Sequence, residues 1–81
     1  MSGRPVKHSV TLKGHRTSIS LEDAFWAELR RISAEKGKPI NALVAEIDVE
    51  RGTSTGLASA IRLFVLEDLK AQLAQPQMEA R

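Results

Sequence analysis

A chain of 81 residues with no cysteine and two histidines has room for one small domain and excludes a disulfide framework or a thiolate metal site. Its net charge of +2 is unevenly placed: residues 1–21 hold four bases and no acid, and the remainder holds eight bases and ten acids. A basic end on a mildly acidic body implies either an anionic partner or a solvated N-terminus. With no apolar run long enough for a signal peptide or a membrane span, the expectation is a soluble, cytoplasmic protein with no membrane partner.

Residues 1–8 contain Gly3, Pro5, Arg4 and Lys7 and read as a flexible basic arm. The segment SVTLKGHRTSISLE follows, from Ser9 to Glu22. Val10 and Leu12 alternate with polar neighbours, and so do Ile19 and Leu21, which is the pattern of half-buried strands. Lys13-Gly14 suits a turn in which Gly14 takes a positive φ, and whether residues 9–13 form a second strand stays open. Arg16–Leu21 is the better strand. It places Thr17, Ile19 and Leu21 on one face and Arg16, Ser18 and Ser20 on the other.

A first helix is expected from about Asp23 to Lys36. Glu22 and Asp23 favour its positive end, Phe25, Leu29 and Ile32 make a buried stripe with Trp26 beside it, and Gly37 ends it. A second helix begins near Pro39, turns Ile40, Leu43, Val44 and Ile47 to one face, and runs to about Glu50 or Arg51. The run RGTSTG reads as a loop whose Thr53, Ser54 or Thr55 caps the next helix. That third helix is expected from about Thr55 to Leu73, with Leu57, Ala60, Ile61, Phe64, Val65, Leu66 and Leu69 making an apolar surface too wide for a small monomer. Residues 9–73 form the domain, and 74–81 read as a disordered tail.

A lone strand leaves both edges unpaired, and a chain this short is often marginal alone. Both problems are relieved if two copies pair their strands antiparallel about a two-fold axis and interlock their helices. The expected fold is therefore mostly α with one short β-strand, an α+β homodimer whose two-stranded ribbon is intermolecular. Ile19, Leu21, Phe25, Leu29, Leu43, Ile47 and Phe64 are the candidate dimer core. A two-stranded ribbon fits the major groove of DNA.

Two stretches carry a family resemblance. RTSISLEDAFWAEL resembles the strand-into-helix segment of the ribbon-helix-helix DNA-binding family, and EKGKPINALV resembles its inter-helix turn. The later EIDVERGTSTGLASAIRLFVLEDL is similar to a divergent bacterial subgroup whose second helix is interrupted. The resemblance implies a dimeric transcriptional regulator that binds double-stranded DNA. It implies base contacts from Arg16, Ser18 and Ser20, and a phosphate held at the start of the second helix by amides near Ile40 and Asn41, helped by Lys38. Pro39 departs from the family's usual Ser or Thr and brings neither an N–H nor a cap. Glu22, next on the outward face, would repel phosphate.

The plain readings compete with these. Arg16, Ser18 and Ser20 are otherwise solvent-facing, and Lys7 and Lys13 either reach phosphates or solubilise. Asn41 either touches phosphate or bonds local backbone. His8 and His15 read as surface residues, and Trp26 as core or subunit interface. Arg30 and Arg31 with Glu28 and Glu35 read as a salt-bridged face. No convergent catalytic set, cofactor fingerprint or metal pattern is visible, so neither an enzyme nor a cofactor is expected. The alternative function is a protein-interaction module on the same fold, antitoxin-like partner binding included, with its protein partner unknown.

Overall fold

The chain opens with a hairpin. In a computed structural model that describes residues 3–75, strand β1 (Pro5–Leu12) pairs antiparallel with β2 (His15–Glu22), and helices α1 (Asp23–Lys36), α2 (Ile40–Glu50) and α3 (Leu57–Ala74) follow. Lys13 and Gly14 have φ of 53° and 79°. Positive φ at both central residues is the requirement of a type I′ turn, whose twist matches that of paired strands. The register follows from this two-residue loop: Leu12 faces His15, Val10 faces Thr17, His8 faces Ile19 and Val6 faces Leu21.

One question left open is answered and one expectation is corrected. Residues 9–12 do form strand, as part of β1, which pairs with β2 within the chain. Residues 5–8, read as arm, belong to β1. Pro5 and Lys7 suggested a loop composition, but Val6 and His8 continue the inward alternation of Val10 and Leu12. The expected tail begins at Ala74, the last residue of α3, and from residue 76 onward lies outside the described residues.

The helices form a layer beneath the inner face of the ribbon. Val10, Ile19 and Leu21 from the sheet meet Leu29 and Ile32 of α1, Leu43, Val44 and Ile47 of α2, and Ile61 and Val65 of α3. Each such side chain contributes about 1.5–3 kcal/mol when fully buried. The core is thus built within one chain. Of the residues expected to form a core shared between copies, Ile19, Leu21, Leu29, Leu43 and Ile47 are buried here, while Phe25 and Phe64 are half-buried at its margin.

Gly37 ends α1 in the left-handed conformation, φ 66°, with its amide and that of Lys38 bonded to the carbonyls of Ala34 and Ser33. This closes two of the orphan carbonyls at the helix end. The start of α3 differs from expectation. Gly56, not Thr53, Ser54 or Thr55, is the N-cap residue, and no side-chain cap is made. Arg51 organises the loop instead, with Nε on Asp48 Oδ1 at 2.8 Å and Nη1 on the Thr55 carbonyl at 2.7 Å.

Candidate nucleic-acid interface

The outer face of the hairpin is set by alternation. Since Val10, Ile19 and Leu21 point into the core, Lys7, Ser9 and Thr11 of β1 point away from it together with Arg16, Ser18 and Ser20 of β2. The register pairs Thr11 with Arg16, Ser9 with Ser18, and Lys7 with Ser20. These six side chains are exposed and hold hydroxyls and cations with no acid among them. The sequence reading singled out Arg16, Ser18 and Ser20, and the fold brings them together. It missed Ser9 and Thr11 opposite them, which the I′ turn at Lys13-Gly14 would have supplied by counting back across the register.

Glu22 stands at the base of this face, opposite Pro5. Its carboxylate is engaged by Arg62 of α3, whose Nε lies 2.8 Å from Oε1. Its own backbone amide first, then Arg62, hold the Glu22 carboxyl below the usual carboxylate range. Arg62 also lies over the Phe25 ring, 5.9 Å from its centroid. The acid that threatened to repel an anion is thereby neutralised from within the fold.

Beside the ribbon lies the start of α2. Its first-turn amides, Ile40 and Asn41 among them, have no partner within the helix by helix geometry, whereas those of Ala42 and Leu43 reach back to the Pro39 carbonyl. Asn41 Oδ1 accepts the Thr11 amide at 3.1 Å. That bond joins β1 to α2 across 30 positions, a longer reach than the local role expected of Asn41. Lys38 Nζ is ion-paired with Glu46, so its charge is shared. Lys13 sits at the exposed hairpin tip.

The histidines divide. His15 is exposed at the tip, but His8 is not the surface residue the sequence suggested. It lies on the inner face of β1 and stacks on Trp26, with centroids 4.2 Å apart and planes 10° from parallel. Its Nε2 is 3.5 Å from Asp23 Oδ1 and makes no hydrogen bond. Trp26 is half-buried and packs against the core. The expected salt-bridged face on α1 is present: Arg31 bonds Glu28 and Glu35, and it reaches Asp68 of α3 at 2.9 Å as well. All three acids raise the Arg31 pKa, Asp68 most.

Among the described residues no group of three or more His, Cys, Asp or Glu is placed to hold a metal ion, and no helix is long and apolar enough to cross a membrane. Comparison with known proteins gives one informative result. A family model described as a ribbon-helix-helix domain matches residues 5–69, from the first residue of β1 to Leu69 within α3. Neither a curated protein nor a solved structure matches significantly. The family match covers most of the chain and includes the hairpin, so the chain belongs to the ribbon-helix-helix family, a DNA-binding fold.

Proposed function

We propose that the protein is a dimeric, sequence-specific DNA-binding regulator of transcription that presents the outer face of its hairpin to the major groove. One observation carries the reading: an exposed two-stranded ribbon, lined by Arg16, Thr11 and three serines, has Lys7 and Lys13 at its two ends. A ribbon of this width fits the groove. Arg16 has the donors for a bidentate contact with guanine. Ser18 and Ser20, with Ser9 and Thr11 opposite, donate or accept with little discrimination. Specificity then depends mainly on Arg16 and on the fit of the ribbon.

Phosphates would be held by Lys7 and Lys13 and by the amides of Ile40 and Asn41, where the α2 dipole adds attraction. Lys38 joins them by exchanging Glu46 for phosphate. Contacts of this kind fix position and carry no sequence information.

Selection from random duplexes at two salt concentrations tests the function. The expected result is an enriched sequence whose affinity falls with salt by about 0.9 log units per log unit for each neutralised phosphate. A pool that never enriches at either salt concentration overturns it.

A further inference from the structure

Helix α3 sends one side chain to the base of the ribbon. Arg62 places Nε and Nη2 each 2.8 Å from Oε1 of Glu22. The Phe25 ring, its centroid 5.9 Å away, holds the guanidinium from a second side. The Arg62 and Glu22 side chains are 30% and 24% exposed, so salt screens this pair less than one on the open surface.

The surroundings of Glu22 give the pair its meaning. Glu22 is the last residue of β2 and follows Arg16, Ser18 and Ser20 on the outward face. It lies two residues of strand beyond Ser20, about 7 Å. Ser20 is paired with Lys7. Lys7 and Glu22 are therefore diagonal neighbours, at a separation that a long side chain crosses. Lys7 is exposed, and among the described residues it makes no ion pair. The neighbouring acid, Asp23, is engaged elsewhere, with Oδ1 3.5 Å from Nε2 of His8, whose ring lies on the inner side of β1.

We propose that Arg62 is a positioning residue for DNA binding: by holding the Glu22 carboxylate, it prevents that carboxylate from capturing Lys7 and leaves Lys7 for phosphate. α3 then acts on the outer face of the ribbon without touching DNA. The phosphate half of this inference rests on the DNA reading above, whereas the exchange of partners at Glu22 does not. Charge and distance set the size of the effect. Two unit charges 7 Å apart attract with a strength equivalent to about threefold in affinity in water and about fiftyfold near a protein surface.

The exchange is tested without DNA by following the titration of the Glu22 carboxyl by nuclear magnetic resonance. The expected result is a lower midpoint in Arg62→Met, where Lys7 takes over the carboxylate, than in Arg62→Met combined with Lys7→Met. Coincident midpoints overturn the proposal. Binding to a fixed duplex of mixed sequence is then measured for wild type, Arg62→Met, and Arg62→Met combined with Glu22→Gln. Arg62→Met should bind about three- to fiftyfold more weakly at low salt, with a salt slope smaller by about one. The added Glu22→Gln should return both to wild-type values, and Arg62→Lys, which keeps the charge, should bind as wild type. An undiminished affinity in Arg62→Met, or a loss that Glu22→Gln does not restore, overturns the proposal. Circular dichroism checks that each variant is folded, and Arg62→Gln takes the place of Arg62→Met if the apolar side chain prevents folding. A wild type that binds no duplex overturns the DNA reading and the phosphate half with it, while the titration still decides the exchange at Glu22.

Discussion

The amide of Thr11 and the side chain of Asn41 are joined at 3.1 Å, and this bond fastens the outer edge of β1 to the first turn of α2. It links the ribbon to the helix end proposed to hold phosphate. Removing it with Asn41→Ala should cost about 0.5–1.5 kcal/mol, toward the low end because the bond is exposed. Thermal unfolding should then shift down by about 4–8 °C per kcal/mol, with faster hydrogen exchange at the Thr11 amide. Unchanged exchange at Thr11 would show that the bond does not hold the strand.

The turn carries a correctable strain. Lys13 adopts φ 53°, a left-handed conformation that costs a residue with a Cβ about 1–2 kcal/mol and that asparagine tolerates better. Lys13→Asn creates the preferred Asn-Gly pair and should raise stability by about 0.5–1 kcal/mol. If Lys13 touches phosphate, the same variant binds DNA with a salt slope smaller by about one charge. A melting temperature at or below that of wild type would contradict the turn assignment.

Glu22 gives the fold an acid-sensitive contact. Its carboxyl is lowered in the folded chain from an ordinary value of 4.5, so the stabilisation is fully present above that value. It is lost as pH falls through the lowered folded value. Glu22→Gln should unfold less steeply than wild type on acidification below about pH 4.5, and Arg62→Met should flatten the curve in the same direction. Parallel acid curves for wild type and both variants would remove the contact from the account.

On the ribbon, Arg16→Ala should weaken binding to the selected duplex by about 1–3 kcal/mol and relax preference at one base pair, while Lys7→Ala should weaken all duplexes alike and reduce the salt slope by about one. Competition binding against single-base variants of the selected site separates these outcomes. Equal discrimination by Arg16→Ala and wild type would move base reading elsewhere.

Much of this architecture was legible from local pattern. Alternation at Val10–Leu12 and Ile19–Leu21, the apolar stripes of the helices and Gly37 each report one element's own period or backbone need. What stayed hidden was pairing between distant parts. Nothing in the spacing of Pro5, Val6, Lys7 and His8 says that β1 runs eight residues and pairs with β2 in the same chain. His8 looked like a surface residue because its cover, Trp26, lies on another element. The same holds for Arg62 with Glu22, Arg31 with Asp68, and Asn41 with Thr11, whose partners are brought close only by the packed core. Ser9 and Thr11 were within reach, since a two-residue turn fixes their cross-strand partners.

The most direct test is site-specific crosslinking to the selected duplex from a photoreactive group on single cysteines at Ser9 and Ser18, the paired outward positions of one hairpin. The account predicts that both positions crosslink to major-groove edges of the same or adjacent base pairs. Crosslinks absent from both, with efficient crosslinking from Glu50 at the far end of α2, would contradict it.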